Sequence, residues 1–227
     1  MIKFENVSKK FPDGTAALEN INLEVADGEF VFLVGPSGAG KTTILKLLLR
    51  ILRPSGGNIT VDEHNLNKIN GGKVIQLRRK IGVVFQDLKL LDDRSILENV
   101  ALSLWVLGRK GKEVETESRE KLELVGLAKK ADFFPAQLSG GELQRAAIAR
   151  ALAGDPKYLL ADEPTGNVDD ENAWKIVKIL EKINNDGITV LMAPHNGEIV
   201  DTLNKRVIRL EGGKIISDRQ GKYRDKK

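Results

Sequence analysis

The run Gly35-Pro36-Ser37-Gly38-Ala39-Gly40-Lys41-Thr42 sets three glycines, a lysine and a hydroxyl in the spacing G-x-x-x-x-G-K-[ST]. Glycines at that spacing let successive backbone N–H groups converge on phosphate oxygens with no Cβ in the way. A helix opening at the lysine adds its positive N-terminus, and Lys41 brings a point charge to the β- and γ-phosphates of a nucleotide. Thr42, followed by Thr43, offers a hydroxyl suited to Mg2+. A second chemical group stands at "YLLADE" (158–163), an apolar run that ends in two carboxylates. A buried strand presenting Asp162 at its C-terminal end can hold Mg2+, and Glu163, one residue on, can take a proton from an attacking water. Many strands end in solvated acids, so this pair gains its meaning from the phosphate loop.

Three further residues follow strand-like runs. Gln86, after "IGVVF", carries an amide that can touch both Mg2+ and water, although taken alone it reads first as an ordinary polar loop residue. His195, after "ITVLMAP", is one of two histidines and reads either as structural or as a group at the phosphate edge. His64, in "DEHNLNK", reads as a surface residue. Phe11 could stack on a base or simply pack into the core. Ser139-Gly140-Gly141-Glu142, in "QLSGGELQR", opens a helix in a way that also suits an anion. One chain therefore carries two phosphate cradles.

The elements that must position these groups follow from periodicity. "IKFENVSKKF" and "INLEVADGEFVFLVG" alternate, with Ile21, Leu23 and Val25 on one face, which predicts antiparallel strands. Asp27-Gly28 gives the stronger hairpin signal and Asp13-Gly14 the weaker. "FVFLV" (30–34) is continuously apolar, as in a strand buried on both faces. "TTILKLLLRIL" predicts a helix ended by Pro54 and Gly56-Gly57. Residues 95–153 are helix-rich, with stops at Gly108 and Gly126, and Leu143, Ala147 and Ala151 are expected on one face of a helix. From 158 onward strand and helix alternate, the pattern of a parallel sheet with crossover helices. The prediction is one α/β domain over 1–227 with a β-rich N-terminal layer and a helical lobe over about 88–153.

Composition narrows the function classes. Cysteine is absent, which excludes disulfides and thiolate metal sites and predicts a reducing cytoplasm. The first twenty residues lack an apolar leader segment, and no stretch reaches the length of a membrane span, so any membrane role is expected to run through a partner. The net charge of +4 is mild and the charges are interspersed, which argues against a nucleic-acid partner. The end of the chain, about 219–227, has five basic residues and one acid and reads either as a solvated tail or as a weak attraction to anionic lipid.

In order along the chain, "GPSGAGKT", the Gln86 loop, "LSGGE", "YLLADE", "GNVD" and His195 resemble the ATP-binding cassette (ABC) ATPases across nearly the whole sequence. The resemblance implies a P-loop nucleotide-binding domain with a RecA-like core, an N-terminal antiparallel β subdomain and an inserted α-helical subdomain. It implies ATP and Mg2+ as cofactors, with Phe11 against the base and Gly35 to Thr43 around the phosphates. It implies a homodimer formed in the presence of ATP, in which Ser139, Gly140, Gly141 and Glu142 meet the γ-phosphate held by a second copy. Asp169, in "GNVD", would lie at that interface, and His195 would touch the γ-phosphate. "VVFQDLKLL", "LADEPTGNVD" and "TVLMAPHN" are most similar to the cell-division branch of the family. That branch works with an integral membrane protein, FtsX, and signals to cell-wall hydrolases outside. Lipoprotein-releasing and macrolide-efflux members share "LADEPTGN" and are the competing reading. Chromosome and repair ATPases of this superfamily separate the two cradles by a long coiled coil, whereas Lys41 and Ser139 lie 98 positions apart with no sustained heptads between. Three positions depart from the pattern. Phe11 stands where tyrosine is usual, Val168 replaces leucine, and Pro194 precedes His195, removing a backbone N–H.

Overall fold

The computed structural model describes residues 1–223, and Arg224 to Lys227, the last part of the expected basic tail, lie outside the described residues. The chain forms two compact units, one of Met1–Arg78 with the segment from Thr189 onward, the other of Arg79–Ile188.

In the first unit, β1 (Ile2–Lys10) pairs antiparallel with β2 (Ala16–Val25) on one side and β4 (Gly56–Val61) on the other. The two-residue β5 (His64–Asn65) completes the order β2-β1-β4-β5. Alternation puts Ile21, Leu23 and Val25 on the buried face, as their spacing predicts. The β1–β2 hairpin turns at the weaker of the two signals, where Asp13 accepts the Thr15 N–H at 2.9 Å. Asp27-Gly28 does make a tight turn, closed by Ala26 N–H donating to Glu29 Oε2 at 2.8 Å, but the strands on its two sides do not pair. The strand after it, β3 (Phe30–Val34), is buried at every position and needs cover on both faces. It therefore pairs parallel with β8 (Thr189–Ala193) and β9 (Arg206–Glu211), while β2 alternates and stays in the half-exposed antiparallel sheet.

The helix after the glycine loop, α1 (Lys41–Leu48), stops four residues short of the expected "TTILKLLLRIL". Arg50 takes a left-handed backbone (φ 53°), and Arg78, from α2 (Gly71–Arg79), donates to Leu49 O at 2.9 Å. A side-chain guanidinium thus satisfies a carbonyl of the closing turn before Pro54 is reached. Sequence periodicity did not indicate α2, β4, or β10 (Lys214–Gln220), which forms an antiparallel hairpin with β9. Short β4 was hidden by its two glycines, which read as helix punctuation. The short helix α7 (Gly197–Leu203) is overlaid by Tyr223, whose N–H donates to Asp201 Oδ1 at 2.5 Å.

In the second unit, β6 (Ile81–Val84) and β7 (Tyr158–Asp162) pair in parallel, Ile81 opposite Tyr158. Helices α3 (Ile96–Val106), α4 (Lys112–Leu124) and α5 (Gly140–Leu152) pack on one another, and α6 (Asp170–Asn185) follows β7. Ser95 and Glu98 form a capping box that starts α3, with Ser95 N–H donating to Glu98 at 2.8 Å and Glu98 N–H to Ser95 Oγ at 3.2 Å. On α5, Leu143, Ala147 and Ala151 share a helical face, with Leu143 half-buried and the two alanines buried. Ala146, Ala147, Ile148 and Ala149 are all buried, because small side chains let this helix be enclosed on more than one face. Among the described residues no helix is long and apolar enough to cross a membrane.

Candidate functional site

Within the first unit, β3 delivers the chain from a fully buried strand into a loop whose tip, Pro36 to Gly38, is exposed. Ala39 N–H closes the turn on Pro36 O at 3.2 Å. Lys41 Nζ donates to Gly35 O at 2.8 Å and Pro36 O at 3.0 Å, so the ammonium is held at the loop by two carbonyls. Gly40 caps α1 with φ 107°, and an added Cβ would stand 2.5 Å from Leu18 Cδ2 and 2.8 Å from Ala17 O. Gly38 also has positive φ (75°), yet a Cβ there would meet nothing within 4 Å. One glycine is fixed by the protein's own packing, and the other faces open space that a ligand can use. Thr42 is exposed and Thr43 half-buried.

Buried Pro194 ends β8, and exposed His195 follows directly before Asn196, the α7 cap, whose Oδ1 accepts the Glu198 N–H at 2.8 Å. The proline leaves His195 presented on a capped helix start. Phe11 is half-buried with the Lys9 ammonium 5.3 Å from its ring, and its backbone closes the hairpin through Thr15 O at 2.9 Å. His64 departs from the surface expectation. It sits in β5, half-buried, with Nε2 3.3 Å from Glu63, because β4 pairs along it.

Within the second unit, Gln86 is exposed at the end of β6 and opens a cleft of about 700 Å3 lined also by Leu88, Leu90, Pro135, Leu143 and Asn167. Half-buried Leu143 is one wall of it. Two residues that sequence reading did not single out hold this loop. Arg150 of α5 donates to Lys89 O at 2.5 Å and to Leu88 O. Fully buried Asn99 accepts the Leu91 N–H at 2.7 Å and donates to Leu91 O, Arg94 O and Ser95 O. Hydrogen bonds from a charged group contribute about 1.5–3 kcal/mol. Arg150→Met should therefore release residues 87–92, with amide exchange there rising at least about tenfold while α3 keeps its protection. Unchanged exchange would show that Asn99 alone holds the loop.

Asp162 is buried (8% exposed) at the end of β7, and Glu163 next to it is half-buried with a left-handed backbone, φ 49°. Such a conformation in a non-glycine residue costs on the order of 1–3 kcal/mol and persists only where the surroundings impose it. Gly166 N–H donates to Glu163 O at 3.1 Å, closing a turn directly after β7. Among the described residues no three His, Cys, Asp or Glu side chains cluster as a metal cage. The Asp162 carboxylate is a hard oxygen donor of the kind that suits Mg2+.

At the start of α5, Ser139 and Gly140 are exposed, and the first-turn N–H groups have no acceptor within the helix. Ser139 N–H and O–H donate to Glu142 Oε2 at 3.0 and 3.1 Å, and Lys130 Nζ donates to Glu142 Oε1 at 2.6 Å. The Lys130 ammonium, then the Ser139 N–H, pull the Glu142 carboxyl down to about 2. A Cβ on Gly141 would lie 2.6 Å from Asn172 Cγ, so this helix start packs directly on the start of α6. Asp169 caps α6 by accepting Asn172 N–H at 2.9 Å and Asn172 Nδ2 at 2.7 Å, and Asn172 Oδ1 accepts from Arg145 at 3.0 Å. Those bonds from Asn172 hold the Asp169 carboxyl below its usual range. Ser139–Gly141 and Asp169, two separate motifs in sequence, are thereby one connected patch. Asn172 and Arg145 are the residues that join it, and an Asp-x-x-Asn cap was the only sequence signal for the first.

Residues 18–166 match the family model for ABC transporters. The chain is 47% identical to the cell division ATP-binding protein FtsE of Streptococcus pneumoniae serotype 2, over 98% of this chain and 97% of that protein. It is 47% identical to FtsE of Bacillus subtilis over 98% of each. A solved dimeric ATP-binding cassette in a post-hydrolysis state bound to ADP and Pi superposes with a TM-score of 0.89 at 36% identity, over the full length of both chains. The α/β P-loop fold with an antiparallel N-terminal sheet and a helical subdomain is the fold of those cassettes. A strand-borne glycine loop, a second helix start of the same character and end-to-end likeness to cassette proteins lead to one conclusion: the chain belongs to the ABC transporter family and is an ATPase.

Proposed function

We propose that this protein is the ATPase subunit of a cell-division complex, bound on the cytoplasmic side to an FtsX-type integral membrane protein. It would drive that partner by closing and opening as a homodimer, and so signal to cell-wall hydrolases outside. The observation that carries the reading is the likeness to FtsE proteins from several bacteria over nearly the full length of the chain, and the exposed Gln86 cleft is the face we assign to the membrane partner. The protein would be peripheral on the inner face of the membrane through that partner, without a nucleic-acid ligand.

In this mechanism the loop from Gly35 to Thr43 binds the triphosphate through backbone N–H groups, with the Lys41 ammonium on the β- and γ-phosphates. Phe11 stacks on the adenine. Thr42, Gln86 and Asp162 would hold Mg2+, which when bound neutralises phosphate charge. Glu163 takes the proton of the attacking water, and His195 donates a hydrogen bond to the γ-phosphate. Ser139 to Glu142 of the second copy close over the same phosphate, with Asp169 beside them. Loss of the γ-phosphate removes what that helix start binds, and the dimer opens.

The test is capture of membrane proteins from the native organism with tagged Glu163→Gln protein and MgATP. Recovery of a small membrane protein with an extracytoplasmic domain, along with wall hydrolases, is the expected result. Recovery of a transport permease instead would reassign the protein to the exporters with its ATPase chemistry intact.

A further inference from the structure

We propose that Lys130 is the counter-ion that makes the acidic start of α5 acceptable to a phosphate. This rests on the reading that Ser139 to Gly141 receive the γ-phosphate of ATP bound by a second copy. A carboxylate at the third position of a helix is favourable for the helix itself, because it satisfies the capping N–H and faces the positive end of the dipole. The same carboxylate is unfavourable for an incoming polyanion, which it would repel across a few ångströms.

The geometry divides the two oxygens of Glu142 between these demands. Oε2 accepts both the N–H and the O–H of Ser139, which sets the cap, and Oε1 takes the Lys130 ammonium at 2.6 Å. The charge of Glu142 is cancelled on the side away from the cap, so the helix start keeps its positive field for a ligand. Lys130 is not on α5. It ends the 3-10 turn Ala128–Lys130, rooted by its N–H on Leu127 O at 2.9 Å, and its ammonium also lies 5.8 Å from the Phe133 ring. The Lys130 and Glu142 side chains are 35% and 19% exposed, so the pair is only partly screened by water.

The experiment is a double-mutant cycle on ATP-driven dimerisation, read by sedimentation in the Glu163→Gln background, which holds ATP unhydrolysed. Lys130→Met should raise the ATP concentration needed for dimerisation at least about tenfold when Glu142 is present, but less than about twofold when it is combined with Glu142→Gln. Lys130→Arg should restore most of the loss. The tenfold defect should shrink as NaCl rises from about 0.05 to 0.5 M, because screening weakens repulsion at the helix start. Binding of a fluorescent ATP analogue to the monomer should not change. An equal loss with and without the Glu142→Gln substitution would overturn the proposal alone. A parent Glu163→Gln protein that stays monomeric with ATP would overturn the dimer reading and this proposal with it.

Discussion

Glu163→Gln should lower the steady-state rate of ATP hydrolysis by about 10²–10⁴-fold while leaving ATP affinity within about threefold. The two side chains have the same shape, so the left-handed turn at φ 49° and its closure by Gly166 N–H are undisturbed. What is lost is the ability to accept a proton from water. Because the phosphate contacts remain, ATP should accumulate on the protein and stabilise the closed dimer, which elutes at twice the monomer mass only when ATP and Mg2+ are both supplied. Phosphate release and gel filtration on the same preparation decide the matter. A variant that turns over at the parental rate would remove Glu163 from the chemistry and shift attention to His195 as the group that polarises the water.

Gly40→Ala and Gly38→Ala should fail in opposite ways. At Gly40 the added methyl group meets Leu18 and Ala17 O at 2.5 and 2.8 Å while the backbone is held at φ 107°. Strain of about 1–3 kcal/mol and overpacking of a similar size together predict a loss of about 2–6 kcal/mol. For a chain of this length that is a fall in Tm of roughly 4–24 °C, with MgATP still giving a thermal shift. At Gly38 the methyl group enters open space, so only the backbone cost applies, of about 1 kcal/mol. Its damage should be to nucleotide affinity instead, because the methyl group projects from the exposed loop tip, where phosphate oxygens are expected. Differential scanning fluorimetry with and without MgATP separates the two. Equal losses of stability would mean that the loop tip is packed in a way its open surroundings do not indicate.

Much of this protein is legible from short windows of sequence, because the relevant physics is local. A continuously apolar strand, glycines at fixed spacing and a helix behind them define the phosphate loop, and β7 with Asp162 is read in the same way. The capped starts of α3 and α5 are local too, each made by a serine and a glutamate three residues later.

Pairing decided what the local signals left open. Asp27-Gly28 was the stronger hairpin motif, yet Asp13-Gly14 makes the hairpin. A turn signal records only that the chain reverses. Which strands then pair depends on whether each needs one face covered or two. Glycines hid β4, and on alanine-rich α5 the face read from Leu143, Ala147 and Ala151 was only part of what folding encloses, since Ala146, Ile148 and Ala149 are buried too. Left-handed Glu163 carried no local signature, since its conformation is imposed by the surrounding turn.

The candidate site divides along the same line. Sequence by itself determined which side chains are the candidates for the chemistry: the loop from Gly35 to Thr43, Asp162 with Glu163, and the helix start at Ser139. Only the tertiary structure decided how those side chains are tuned and tied. Lys130 lies twelve residues from the Glu142 it neutralises, Arg145 reaches Asn172 across 27, and Arg150 grips the loop after Gln86 across more than sixty. A charge or a hydrogen bond acts through space over a few ångströms, and distance along the chain sets no limit on which residues folding brings that close.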